Sequence, residues 1–192
     1  MQASQSEYRH ILLHICCAPD ATVAIDNEAT TVGSVFYFYN PNIHPAAEYA
    51  KRRAEMKRLA RLTDIPLICD EADSQRWLDA VRGLEEEPEG GKRCEACFRM
   101  RLERTARFAR DHGFDAIATV LTVSPHKDAK LINAIGRAAA ARYGVTYIES
   151  DLKKNGGFAK SVELSKKYGL YRQTYCGCVY SMADIPQVLS LI

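Results

Sequence analysis

Six of the seven cysteines in this 192-residue chain come in close pairs: Cys16–Cys17 in HICCAPD, Cys94 and Cys97 in RCEAC, and Cys176 and Cys178 in YCGC. A C-x-x-C at a helix start sets its two sulfurs one turn apart on the same side. The helix N-terminus, with Lys92 and Arg93 beside it, predicts thiolate rather than thiol. A disulfide within C-x-C closes a very small, strained and easily reduced ring. Cys176 and Cys178 would therefore make a poor structural staple, but they suit a redox pair or metal ligation. Cys69 stands alone at the end of a predicted strand and reads as a core residue.

An odd number of cysteines in a chain expected to be cytoplasmic argues against a disulfide framework and for metal or redox chemistry. The excess of thiol over imidazole points to zinc or an iron–sulfur cluster. A four-cysteine zinc site leaves two sulfurs unexplained. A [4Fe–4S] cluster plus a redox pair, or plus a second metal, uses all six. His14 lies inside the first predicted strand and reads as a hydrogen-bonded core residue. His126, in SPHK, is the one histidine expected near the sulfurs.

These groups need a scaffold that gathers them. Short apolar, β-branched and aromatic runs predict strands at 10–16, 33–39, 65–69, 114–122 and 145–149. Helical patterns fill the intervals: 20–29 with Asp20 near its N-cap, 45–62, 74–83, 94–112 and 158–168. A further helix is expected through Arg142, with Ser124 as N-cap and Pro125 at its first position. The acidic stretch 84–91 reads as a loop. Strands alternating with helices predict an α/β fold with a parallel sheet covered on both faces. Such sheets bind ligands at the carboxyl ends of strands, where strand order reverses. Cys16 and Cys17 follow the first strand and SPHK follows the fourth, so both belong on one rim.

Length and composition predict a single domain, 1–192, with an ordinary core and no linker or repeat. The N-terminus lacks a basic, signal-like segment, and no stretch approaches a membrane span, so the expected compartment is the cytoplasm with no membrane partner. The net charge of +2 is unevenly spread: residues 48–61 carry a net +4, residues 92–110 a net +5, and residues 79–89 a net −4. The two basic helices are either solvated faces with local ion pairs or surfaces for a phosphate backbone.

LLHICCAPD, YFYNPNIHPAAEY, CEACFRMRLERTA, GFDAIATVLTVSPHK and YRQTYCGC together resemble the motifs of the QueH-type, cobalamin-independent epoxyqueuosine reductases, over roughly residues 10–180. The wording departs most at TVLTVSPHKD. The resemblance implies reduction of epoxyqueuosine to queuosine at the wobble position of a tRNA with a queuosine-type anticodon. This is the last step of queuosine synthesis and draws on an electron donor the sequence does not name. It also implies a three-layer α/β/α sandwich with a mostly parallel five-stranded sheet, as in PP-loop (HUP-like) enzymes. The chain has CCAPD where those enzymes carry a Gly/Ser-rich phosphate loop, so neither ATP nor cobalamin is expected.

On the same resemblance, Cys16, Cys17, Cys94 and Cys97 hold a [4Fe–4S] cluster, with Cys176 and Cys178 as a redox-active pair that cycles through a disulfide. A second iron beside the cluster, using Asp20, is the variant. Asp20 and His126 are the candidate proton donors. Tyr39, Asn40, Asn42, Lys127 and Arg172 are the candidate substrate contacts, with the basic helices as further phosphate contacts. Two rivals are a non-enzymatic zinc protein that binds RNA and a metal-free thiol–disulfide oxidoreductase. The third is a PP-loop sulfur transferase, which would need ATP.

Overall fold

The computed structural model describes residues 10–25 and 33–182. Its five strands are β1 (Ile11–His14), β2 (Ser34–Phe38), β3 (Leu67–Cys69), β4 (Ala116–Thr119) and β5 (Thr146–Tyr147). They form one all-parallel sheet in the order β3-β2-β1-β4-β5. The central strand β1 is buried along its whole length. This is why its apolar residues run continuously instead of alternating. Leu13 lies opposite Phe36 on one side and Ala118 on the other. Burying a side chain such as Leu13 or Phe36 contributes roughly 1.5–3 kcal/mol.

Helices cover both faces, giving the expected three-layer arrangement. Helix α1 (Ala18–Ile25) packs against α2 (Ala46–Thr63) and α6 (Gly157–Lys167). Helix α4 (Lys92–Asp111) packs against β1, β4, α3 (Ser74–Ala80) and α5 (Ala129–Tyr143). A short α7 (Val179–Met182) closes the described chain. Among the described residues no helix is long and apolar enough to cross a membrane. Of the helix predicted at 20–29, the part beyond Ile25 lies outside the described residues.

His14 is a core residue, as expected. Its Nδ1 lies 3.0 Å from Thr119 Oγ1 and its Nε2 lies 3.2 Å from the Tyr39 carbonyl. A carbonyl only accepts, so Nε2 carries the proton and Nδ1 accepts from the hydroxyl. Burial, aided by the Arg101 charge, holds this imidazole well below its ordinary pKa. Cys69 is half-buried at the end of β3 and packs on the core's edge.

The segment after β4 differs from the prediction. The strand ends at Thr119, whose hydroxyl accepts the Leu121 amide, and Leu121–Val123 forms a 3-10 turn. Ser124 does not cap a helix; its Oγ accepts the His126 amide at 3.3 Å and turns the chain. Asp128 is the N-cap instead, accepting the Lys130 amide at 2.8 Å, and α5 begins at Ala129. A carboxylate is a strong N-cap acceptor, and here it displaces the start by about one turn. His126 and Lys127 therefore sit on a loop at the sheet's carboxyl rim.

Candidate metal and substrate site

Strand order reverses between β1 and β4, and a cavity of about 250 Å³ opens at their carboxyl ends. Cys16 and Asp20 line it from the turn and first residues of α1. The Cys16 and Cys17 sulfurs are 3.9 Å apart, and Cys16 Sγ lies 3.3 Å from Asp20 Oδ2. Asp20 is 6% exposed and occupies the third position of α1, inside the helix start rather than at its N-cap. Cys16, Cys17 and Asp20 offer three ligand atoms all within 4.8 Å of one another. Burial pushes the Cys17 thiol well up, while the hydrogen bond shared with Cys17 pulls Cys16 down, helped by Lys127 and Arg101.

Cys94 and Cys97 occupy the first turn of α4 as the spacing predicts, where burial opposes the thiolate that the helix start favours. Burial pushes Cys94 up to about 11, against a hydrogen bond from the Gly90 amide at 3.2 Å. Burial also raises Cys97, which packs with Cys178, Trp77 and Val81. Arg93 does little for the sulfurs. It is buried, and its guanidinium donates to the carbonyls of Leu84, Glu85 and Glu87, pinning the acidic loop to the helix start.

The third sulfur pair is held by an arginine from another layer. Arg52 of α2 donates from Nη1 to the Cys176 carbonyl at 2.9 Å and from Nη2 to the Tyr175 carbonyl at 3.1 Å. Its Nε donates to Glu48 at 2.7 Å. Between the two cysteines, Gly177 has φ +112, a conformation that side-chain-bearing residues rarely adopt. A Cβ there would sit 3.0 Å from both Arg52 Nη1 and Ile43 Cγ1. Cys176 lines the cavity and Cys178 is buried behind it. Burial raises the Cys178 thiol, and all seven cysteines are unpaired thiols.

Two cations face these sulfurs. Arg101 is 1% exposed; its Nη2 donates to Asn40 Oδ1 at 2.6 Å and its Nη1 lies 4.0 Å from Cys97 Sγ. Lys127 comes from the rim loop. Burial works against its charge, but Cys16, Cys176 and Asp20 outweigh it and hold the ammonium above its ordinary pKa. Asn40 also donates to the Ile15 carbonyl at 2.9 Å, and Gln173 Nε2 donates to Cys17 Sγ at 3.0 Å. Arg172 lines the same cavity, donating to Ser161 and Ser165 and lying over Phe158.

The cavity therefore gathers Cys16, Cys176, Asp20, His126, Asn40, Asn42, Lys127 and Arg172 from the sequence-predicted set, with Cys17, Cys94, Cys97 and Cys178 behind its walls. His126 is exposed at its mouth. Tyr39 is the exception. Consecutive residues of extended backbone point to opposite sides, so Asn40 faces the thiol cavity while Tyr39 lines a different one beyond α4.

Arg101, one of the cations of the basic helix 92–110, is no part of an exposed row but a buried neighbour of the sulfurs. Sequence reasoning also missed Arg52 and Gln173. A usable signal existed only for Arg101, which lies one helical turn after Cys97 on the same face.

The donor set fits a thiolate-ligated metal centre: three sulfur pairs with two cations and a carboxylate among them. Arg101 Nε, Asn42 Oδ1 and Gln173 Oε1 are buried at this cavity with no hydrogen-bond partner among the described residues. Buried polar groups are rarely left unmatched, and these three mark where further polar atoms belong. Cys16, Cys17 and Asp20 could hold a metal ion beside these polar atoms.

Residues 11–184 match the family model described as epoxyqueuosine reductase QueH. The chain is 42% identical to the epoxyqueuosine reductase QueH of Histophilus somni (strain 129Pt), over 92% of this chain and 74% of the relative. It is 43% identical to that of Streptococcus pyogenes serotype M1, over 89% of this chain and 69% of the relative. For the Thermotoga maritima protein of the same name the identity is 38%, over 91% of each. The matched span contains all three sulfur pairs and every wall of the cavity they share, and the chain belongs to the epoxyqueuosine reductase QueH family.

Proposed function

We propose that this chain reduces epoxyqueuosine to queuosine at the wobble position of tRNA, with a [4Fe–4S] cluster on Cys16, Cys17, Cys94 and Cys97. The observation that carries the reading is the cavity at the β1–β4 switch point, where three sulfur pairs meet Arg101, Lys127 and unmatched buried polar atoms. When bound, such a cluster supplies single-electron transfer and a Lewis acid for oxygen.

Converting the epoxide to the alkene releases its oxygen as water and takes up two electrons and two protons. Oxidation of the Cys176–Cys178 dithiol to a disulfide supplies both. Burial raises the Cys178 thiol and so favours retention of its proton until that step. Asp20, buried beside Cys16, protonates the leaving oxygen. Asn40, Asn42 and Lys127 orient the nucleoside, and Arg172 meets a phosphate at the cavity edge. An external donor then reduces the small, strained C-x-C ring.

A second reading rests on one specific observation. The four thiolates of a [4Fe–4S] cluster would each bind a different iron and so need more room than the ligands of one ion. The compact Cys16–Cys17–Asp20 group suits a single ion. In that reading the cluster draws on Cys94, Cys97, Cys176 and Cys178, and His126 at the cavity mouth delivers the proton.

The test is anaerobic reconstitution with iron and sulfide, followed by turnover of epoxyqueuosine-containing tRNA. Conversion to queuosine is expected, and none by an iron-loaded chain would overturn the reading. Cys94→Ala and Cys97→Ala should each lose the cluster and at least about a hundredfold in turnover. Cys178→Ser separates the two readings. Cluster absorbance retained with turnover lost supports the redox pair, and iron lost in step with activity supports the second arrangement.

A further inference from the structure

Across α4 from the sulfurs lies a second cavity, of about 310 Å³, that the chemistry above does not use. Its walls carry Tyr39, Arg76, Arg99, Arg104, Arg107 and Tyr143. Tyr39 and Arg76 follow β2 and β3, so they stand at the same carboxyl rim as the thiol cavity. Tyr143 is the last residue of α5, at the opposite edge of the sheet. The cavity is thus a groove that starts beside the thiol site and runs down the outer face of α4.

Its charge is arranged for a polyanion. Arg104 is fixed by two hydrogen bonds to Asp70, at 2.6 and 3.1 Å, and Asp70 is also bonded by the Tyr37 hydroxyl. Arg76 makes no ion pair among the described residues. Arg99 pairs with Glu95 at 2.8 Å and Arg107 with Asp111 at 3.7 Å, all with side chains 40% exposed or more. Such exposed pairs are weak and exchange readily for a better anion. The one carboxylate of the lining, Glu103, lies 3.4 Å from Arg142.

Arg99 and Arg107 are eight positions apart on α4, about 12 Å along its axis at 1.5 Å per residue. That span exceeds a single phosphate and suits successive phosphodiesters, which guanidinium forks bind well. Tyr39 and Asn40 are adjacent residues, one facing each cavity, so a strand with one nucleoside in the thiol cavity passes directly to the groove.

We propose that this groove binds the RNA backbone flanking the nucleoside that enters the thiol cavity, with Arg76, Arg99, Arg104 and Arg107 on its phosphates. The proposal rests on the reading of the chain as an enzyme that acts on tRNA. Arg104 is the fixed register point, and the three exposed arginines close on the strand when it arrives.

The experiment titrates the iron-reconstituted full chain into a fluorescent anticodon stem–loop RNA carrying epoxyqueuosine at its wobble position, across a series of KCl concentrations. The groove variant is Arg76→Ala/Arg99→Ala/Arg107→Ala. The control, Arg137→Ala/Lys166→Ala/Lys167→Ala, removes the same charge from exposed positions on α5 and α6, outside both basic helices. Unfolding midpoints and iron content confirm that both variants are intact.

The groove variant should bind at least about tenfold more weakly and flatten the plot of log affinity against log salt by about 2 units. The control should stay within about twofold of wild type and flatten the plot by under about 1 unit. Equal weakening by both variants, with wild type binding and reducing the stem–loop, overturns the groove alone. A wild-type chain that neither binds nor reduces the stem–loop overturns the tRNA reading, and the groove with it. Inorganic phosphate that displaces the stem–loop at matched ionic strength, where chloride does not, overturns a polyanion site in favour of a single-phosphate one.

Discussion

Arg101 and Arg104 lie one turn apart on α4 and have opposite fates. Arg101 is 1% exposed beside Cys97 and held by Asn40, whereas the Arg104 side chain is 35% exposed and paired with Asp70. The contrast extends to whole regions. Around the sulfurs, Arg52, Arg93 and Arg101 are buried and donate to carbonyl and amide oxygens, those of Arg52 and Arg101 on segments distant in sequence. Along the groove Arg99 and Arg107 make ion pairs that solvent reaches. In the first region arginine is a scaffold that builds a site and gives it charge. In the second it is a surface that a partner can engage.

The largest effect should come from removing an inner arginine. Arg101→Met leaves Asn40 Oδ1 without its donor and takes a charge away from the sulfurs, and should cost about 3 kcal/mol of folding free energy. Turnover should fall with it, even at temperatures where the variant is fully folded. Arg104→Met should cost under about 1 kcal/mol, because its ion pair is partly solvated. Urea unfolding of both variants measures the difference, and comparable losses would erase the distinction between the regions.

The Arg52 clamp can be probed from the backbone it holds. Gly177→Ala forces a side chain into a left-handed conformation and against Arg52, and should cost about 1–3 kcal/mol. Gly83 has a similar φ of +80 but nothing within 4 Å of an added Cβ, so Gly83→Ala should cost only about 1 kcal/mol. Iron loading after reconstitution should drop for the first variant and not for the second. Equal loading would detach the C-x-C turn from the metal site.

The smallest effect sharpens the outer region. Burial pushes the Asp70 carboxyl up, but hydrogen bonds from Arg104 and Tyr37 outweigh it and hold it below its ordinary value. Its contribution is therefore present above the unfolded value of about 4 and is lost as pH falls through the lower folded value. Asp70→Asn should be less stable than wild type by at most about 1 kcal/mol at pH 7. Denaturant melts should show that gap closing below about pH 4. A gap that persists in acid would mean that Asp70 acts through packing instead of charge.

Much of this molecule is legible in its residues alone. The continuous apolar runs specified buried parallel strands, because a strand covered on both faces has no polar side to alternate with. The three sulfur pairs, at spacings that suit ligands better than staples, pointed to metal or redox chemistry, and the place of the first pair after β1 put it on the sheet's carboxyl rim. The position of α5 was not legible to the turn. Ser124–Pro125 and Asp128 are both valid helix starts, and the hydrogen bonds of the folded loop chose the second.

The sequence by itself determined the chemistry available and the layers that carry it. Local pattern decides both: residue type sets ligand character, and periodicity sets which element forms. Tertiary structure decided which cations belong to the sulfurs. Arg101 is buried because Asn40, 61 positions earlier, meets it across the sheet, and Arg52 because the Tyr175–Cys176 backbone, 123 and 124 positions later, folds onto α2. A charge row on a helix has the same wording whether its face meets water or a distant strand, and only the packed chain distinguishes the two.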